Sequence, residues 1–269
     1  MGFQRYKLKL ILCADDFAQS EAIDTAIIEL IEKNRLTAAS CMTLSPRWAE
    51  SGKKLTASIR KKASIGLHLD FTHFGDAISH LKLILLSFSH QLSKSRIKHM
   101  IHHQLDAFEA TIGTAPDYVD GHQHVHQLPQ IRDALFEVLL ERYPNNLPWL
   151  RVAKPPISDG LKGLIIRILG SNAFERKAKA LGFAYSGCLL GVYDFNGSSE
   201  DYLKRFKCWL ANINKHNATP VLMCHPALQM SHNEEDLIYP ARVREFGVLA
   251  SDELTRDFDA LKLVKSPID

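Results

Sequence analysis

Apolar residues fall into two alternating rhythms along this chain. Short aliphatic runs at 7–14 (KLKLILCA), 38–44, 64–69 (SIGLHL), 149–152 and 219–224 (TPVLMC) read as strands bounded by turn residues. Between them lie longer stretches in which apolar positions recur every three or four residues. Ile23, Ala26, Ile27, Leu30 and Ile31 make one such stripe over 21–33, with Ser20 placed as its N-cap. Ile97, Ile101, Leu105 and Phe108 make another over 94–111, which Gly113 closes. Helices are also predicted at 129–143, with Pro129 in its first turn, at 199–215, and near 240–249 and 251–261. A less regular helix is predicted at 47–60, one or two helices around Gly170 at 158–181, strand-like pieces at 183–192 and a terminal strand at 261–264. Residues 71–92 fit neither rhythm and are expected to form a long loop or lid over a site.

Strand, loop and helix thus alternate nearly throughout, as in a mostly parallel sheet flanked by helices. An open doubly wound sheet and a barrel both satisfy that pattern. One regularity favours a single-domain α/β barrel over residues 1–269. Asp15-Asp16, His68, Asp120 with His122, and His225 each stand at or just past the C-terminal end of a predicted strand. In a parallel barrel those ends share one face, where active sites gather.

Composition narrows the function classes. At 269 residues, with 46% apolar and 23% charged residues, the chain can bury a full core without disulfides. A net charge of +3, with no basic run longer than Arg60-Lys61-Lys62, gives no footprint for nucleic acid. No apolar run approaches the length of a membrane span, and the first residues lack a signal-peptide core. The five cysteines contain no C-x-x-C pair and sit mostly in apolar runs, so reduced thiols in a cytoplasmic protein are expected. Cys224, beside His225, could be a nucleophile but fits a core thiol better.

The densest chemistry is Asp120-Gly121-His122-Gln123-His124-Val125-His126. In extended backbone the period of two would point His122, His124 and His126 the same way. Imidazole is the commonest metal ligand, and a nearby carboxylate can fix its tautomer, so Asp120 is expected to orient His122 or His124. Taken together, the strand ends offer adjacent carboxylates and separated histidines. Two imidazoles and one carboxylate make an open divalent-metal site, leaving the second aspartate free to act as a base. For Asp15 and Asp16 to serve one mouth, the strand must bend where it ends.

Four segments carry a resemblance. Ala14-Asp15-Asp16-Phe17, Gly66-Leu67-His68-Leu69, Asp120 through His126, and Met223-Cys224-His225-Pro226-Ala227 resemble, in order, the signatures of YdjC-like (ChbG/HpnK) carbohydrate deacetylases. The resemblance implies a distorted (β/α) TIM-like barrel that hydrolyses the N-acetyl amide of amino sugars with a divalent ion, Mg2+ in the family, with Zn2+ an alternative. It implies Asp16, His68 and His122 as ligands, Asp15 as general base and His225, protonated near neutral pH, as acid. Asp120, His124 and His126 would act around the ligands or on substrate, and a homodimer is suggested. Cys13, Ala18, Gly121 and Gln123 depart from the family's usual residues, and Ala18 matters if its position needs a positive φ. A phosphoesterase or other amidohydrolase on a similar barrel is the enzymatic alternative. A catalytically silent, metal-containing sugar-binding protein is the other, although binding alone needs neither Asp15 nor His225.

Overall fold

Parallel pairing of short buried strands organises the chain. The computed structural model describes residues 7–75, 78–213, 218–230 and 236–269. Its strands are β1 (Leu8–Phe17), β2 (Ala38–Cys41), β3 (Ser64–Leu69), β4 (Tyr118–Gly121), β5 (Trp149–Leu150), β6 (Leu189–Leu190), β7 (Val221–Cys224) and β8 (Leu261–Leu263). They join in the order β5-β4-β3-β2-β1-β7-β6, with β8 beside the start of β1. The helices are α1 (Glu21–Glu32), α2 (Trp48–Ser51), α3 (Ala57–Lys62), α4 (His80–Phe88), α5 (Lys94–Ile112) and α6 (Pro129–Arg142). They continue with α7 (Gly160–Ile166), α8 (Asn172–Ala180), α9 (Ser199–Ala211), α10 (Tyr239–Ala250) and α11 (Thr255–Asp259). The result is a single α/β domain, a curled parallel half-barrel surrounded by helices, as a distorted TIM-like barrel requires.

β1 is the hub because both of its faces are buried, which is why its sequence runs apolar almost without alternation. Leu10, Leu12 and Ala14 pack toward the helices. Ile11 and Cys13 join Tyr118, Val221 and Met223 in a second cluster built mainly from strand residues. Register places Ala14 of β1 opposite Cys224 of β7, and His68 of β3 opposite Asp120 of β4.

The end of β1 bends as two useful aspartates require. Its register with β2 shifts between Ala14 and Phe17. Asp16 takes φ 68° and Ala18 φ 78°, both left-handed. Alanine in that region costs roughly 1–2 kcal/mol. Local bonds hold the corner. Ala18 N donates to Asp24 Oδ1 at 2.6 Å, and Ser45 Oγ donates to Ala18 O at 2.6 Å. The buried Asp24 also accepts from Ser51 Oγ at 2.6 Å and from Arg47 Nη2 at 3.2 Å.

Ser20 caps α1 as predicted, accepting from Ile23 N. Two expectations need correction. Residues 71–92 are not a structureless loop, because α4 occupies 80–88 with Leu83 and Ser87 buried, while 76–77 lie outside the described residues. The predicted stretch 214–215 at the end of α9 also lies outside them. The segment 122–127 is not extended either; it forms a short 3₁₀ turn in which Gln123 and His124 take positive φ of 51° and 60°.

Asp24→Ala leaves buried donors of Ala18 and Ser51 unpaired, so unfolding free energy should drop by roughly 2–4 kcal/mol. Urea denaturation measures it, and a loss below about 1 kcal/mol would show that the corner does not depend on this carboxylate.

Candidate active site

A cavity of about 530 Å3 lies where the strand ends predicted to carry chemistry converge, with Asp15, Asp16, His68, His122, His124 and His225 in its wall. Asp16, His68 and His122 each offer one ligand-type atom within 4.8 Å of the others. His122 Nδ1 is 3.0 Å and His68 Nε2 3.5 Å from Asp16 Oδ1. The other oxygen, Oδ2, accepts from Arg242 Nη2 at 2.8 Å, leaving Oδ1 to face the imidazoles.

Asp120 does not orient His122 or His124, as its place in the sequence had suggested. It stands across the β3–β4 ladder from His68 and accepts from His68 Nδ1 at 2.6 Å. That bond turns Nε2 toward Asp16. Burial alone would lower the pKa of His68. The charges of Asp120 and Asp15, with hydrogen bonds to Asp120 and Asp16, prevail and raise it to about 10.

Beneath these groups lies Arg151, fully buried just past β5. Its Nη1 and Nη2 donate to Asp15 Oδ1 and Oδ2 at 2.6 and 2.8 Å, a bidentate pair. Its Nε lies 3.1 Å from Asp120 Oδ2, which also accepts from Ser40 Oγ at 2.6 Å. Cys13, Asp15 and Asp120 form a second cluster with metal-like spacing, but the guanidinium already supplies its cation. Burial would push Asp15 upward; the Arg151 charge overrides this and holds the carboxyl well below the usual carboxylate range.

His225 sits one residue past β7, with Nε2 3.9 Å from Asp15 Oδ2. Its backbone N donates to Glu245 Oε2 at 2.6 Å, and Glu245 also accepts from Tyr193 OH at 2.6 Å. Burial lowers the pKa of His225 despite nearby Glu245, Asp16 and Asp15. That direction runs against the imidazolium expected near neutral pH and favours the neutral ring.

The three clustered histidines diverge because positive φ at Gln123 and His124 breaks the period of two. Only His122 joins Asp16 and His68. His124 lines the cavity, and burial holds it well below the ordinary imidazole value. His126 turns away, donating through Nε2 to Arg151 O at 2.9 Å, and burial pushes it down to about 4. Gly121 lies so close that a Cβ there would meet His126 Nδ1 at 2.9 Å, so a side chain at this position would displace the His126 ring. His99 and His103 on α5 are exposed and outside the cavity. Cys224 is buried with its thiol pushed up, as befits a core residue.

Sequence reasoning missed Arg151, Arg242 and Glu245. Arg151 follows a strand just as His68 and Asp120 end theirs, in the otherwise apolar run Trp149-Leu150-Arg151-Val152-Ala153. Arg242 and Glu245, three residues apart on α10, resemble ordinary charges of an amphipathic helix and give no comparable sign.

Fold and site together define an α/β barrel-like protein with a two-histidine, one-carboxylate cluster at its strand ends. The chain matches the YdjC-like protein family over residues 9–260 and belongs to that family. A carbohydrate deacetylase of Clostridium beijerinckii is 26% identical over 257 residues, covering 92% of this chain and 93% of that protein. A zebrafish (Danio rerio) carbohydrate deacetylase is 26% identical over 174 residues, covering 58% of this chain and 52% of that protein, so the match spans about half of that relative. The fold is shared with a candidate cellobiose-phosphate cleavage protein from Enterococcus faecalis. The TM-score is 0.70 at 19% identity, covering 96% of this chain and 97% of that one. No helix among the described residues is long and apolar enough to cross a membrane.

Arg151→Met should lower stability by roughly 3–5 kcal/mol, since Asp15 and Asp120 would keep buried charges without their cation. The deficit should shrink below about pH 5, because carboxyls freed of the guanidinium take up protons more readily. Denaturation at pH 8 and at about pH 4 measures both, and an equal loss at each pH would rule out the charge explanation.

Proposed function

We propose that the protein is a metal-dependent carbohydrate N-deacetylase. The observation that carries this reading is the convergence of Asp16, His68 and His122 beside Asp15 and His225 in one cavity. Membership of a family whose curated relatives include carbohydrate deacetylases supports it. The donor set fits one divalent ion: two imidazole nitrogens and one carboxylate oxygen converge, and Arg151 fills the competing cluster. Two imidazoles favour Zn2+ or another borderline ion over Mg2+. Such an ion, when bound, polarises the acyl oxygen and lowers the pKa of water at the site.

The chain's own groups then handle one proton. Asp15 is ionised across the ordinary pH range because Arg151 holds it so. It accepts a proton from the attacking water. His225 is neutral at rest, and its Nε2 lies 3.9 Å from Asp15 Oδ2. Of the two it has the higher proton affinity, so the proton passes to Nε2 and from there to the departing amine nitrogen. Glu245 anchors the His225 backbone during the transfer.

The test is acetate and phosphate release from a panel of N-acetylated sugars and phosphoesters. Acetate is expected, abolished by chelation. His225→Gln should lower kcat by roughly 10²–10⁴ while metal content is unchanged. Because the His225 pKa is depressed, the neutral form exists above it. The rate of fully loaded protein should therefore rise through one ionisation below 6.5 and then stay flat toward pH 9. An alkaline fall would mean that His225 starts protonated. Phosphate without acetate would favour the phosphoesterase, and neither product from a broad panel the silent binding protein.

Metal uptake gives a separate prediction. His68 without metal carries a proton below a pKa of about 10, and Nε2 must lose it to ligate. Loading at pH 7–8 should release about one proton, and affinity should rise about tenfold per pH unit in that range. Titration calorimetry in buffers of different ionisation enthalpy counts the proton; a count of zero would overturn the assignment of His68.

A further inference from the structure

The imidazole of His225 has no hydrogen bond to aim it. Its backbone is fixed, since His225 N donates to Glu245 Oε2 at 2.6 Å. Its ring is not, because Nδ1 is buried and finds no partner among the described residues. Nε2 lies 3.9 Å from Asp15 Oδ2, beyond hydrogen-bond reach. A working imidazole is normally oriented through its other nitrogen, as Asp120 orients His68 through Nδ1. For His225 the restraint must come from packing.

Phe195 supplies the contact. Its ring meets that of His225 edge-to-face, with centroids 5.2 Å apart and planes at 86°. Phe195 stands in the cavity wall, on the segment that leaves β6. Its backbone takes φ 57°, a left-handed conformation uncommon for an aromatic residue. Strain of that kind persists where neighbours hold it, and it gathers at functional sites. Arg244 Nη2, from α10, donates to Phe195 O at 2.8 Å. Lys162 Nζ, from α7, donates to Tyr193 O at 2.6 Å and lies 4.4 Å from the centre of the Phe195 ring. Tyr193 packs against Phe195 with centroids 4.9 Å apart. Its hydroxyl donates to Glu245 Oε1 at 2.6 Å, so one carboxylate ties this segment to the backbone of His225. Upstream, a Cβ on Gly191 would meet Met223 O at 2.2 Å. The strap 191–195 is thus pressed onto β7, the strand that delivers His225.

We propose that Phe195 is a positioning residue, whose ring holds the His225 imidazole with Nε2 toward Asp15. Its role in turnover rests on the deacetylase reading; the contact between the rings does not. The competing role for an aromatic in a cavity wall is to meet the sugar itself. Kinetics separate the two, because a residue that orients the proton carrier acts on kcat, whereas uniform binding of substrate acts on KM.

Phe195→Gly deletes the ring at a position whose φ glycine tolerates, so the backbone should keep its course and the protein its Tm. On zinc-loaded protein, kcat for an N-acetylated sugar should fall by about 10²-fold, with KM and metal content unchanged. Phe195→Leu restores apolar cover without a flat ring and should recover little of that loss. Arg244→Met, outside the cavity wall, frees Phe195 O and should reproduce part of it. A rise in KM with kcat intact would make Phe195 a substrate contact, and full recovery in Phe195→Leu would make it mere cover; either overturns the proposal.

Nitrogen-15 NMR of His225 in the zinc-loaded protein gives a readout that needs no sugar. Burial lowers its pKa against Glu245 of α10 and Asp16 and Asp15 of β1, with Arg242 of α10 lowering it further and Lys162 standing beyond the Phe195 ring. Without the ring, water reaches the imidazole, so its titration should move up toward 6.5 in Phe195→Gly. An unmoved titration overturns the contact. No acetate from any sugar sinks the deacetylase reading and the role in turnover with it, while the NMR result still decides whether Phe195 holds the ring.

Discussion

The guanidinium of Arg151 is the contact on which the rest of the site depends. A cation with no access to water survives only with carboxylates fully committed to it, and Asp15 and Asp120 are so committed. Each of those carboxylates then governs a different part of the centre. Asp15 is kept ionised toward His225, and Asp120 is held where it can aim the ring of His68. Asp16 meets a second buried guanidinium, Arg242. Arg242 is shared with Asp236, whose Oδ2 lies 2.6 Å from its Nε, so carboxylates outnumber the two guanidiniums around the centre. The uncompensated negative charge beside His68, from Asp120, Asp15 and Asp16, is the physical reason that this imidazole holds its proton so tightly.

Backbone geometry supports the same arrangement at a local cost. Neighbouring side chains on a straight strand point apart, so Asp15 and Asp16 could not share a mouth without distortion. The left-handed turn at Asp16 brings them together, and the one at Ala18 completes the corner. Strain of this kind persists only where surrounding contacts over-determine it. Here Asp24 and Ser45 supply those contacts from α1 and from the loop after β2, elements that would otherwise serve only packing.

Much of this was legible in the sequence, and the failures share a cause. Strand positions followed from short apolar runs, because the strands are buried on both faces, and helix positions from periodicity, because helices such as α1 bury one face and wet the other. The strand-end rule located Asp15, Asp16, His68, His122 and His225 around one mouth before any coordinates. It was not applied to Arg151, since an arginine in an apolar run suggests a surface break more than a buried cation. Asp120 was given to its sequence neighbours, whereas in a parallel sheet its partner is the residue across the ladder, 52 positions earlier. Segment 71–92 was misread because Leu81, Leu85 and Phe88 fill the solvent face of α4 with apolar side chains and erase the helical contrast. The histidine triplet failed differently, through two positive φ angles that no polar pattern announces.

The pairing of Ala14 with Cys224 has a consequence for how such a centre can change over generations. Asp15 and His225 each stand one step beyond that pair, so their spacing belongs to the hydrogen-bonded ladder and not to any loop. Neighbouring strands lie roughly 4.8 Å apart whatever joins them. Connections between β1 and β7 are therefore free to lengthen, shorten or acquire whole helices while the two reacting groups stay in place. A single residue gained or lost inside either strand is another matter, because it would turn one group to the opposite face. Diversification of this barrel is thus channelled into its rim, where the cavity wall is built, and is closed to its floor.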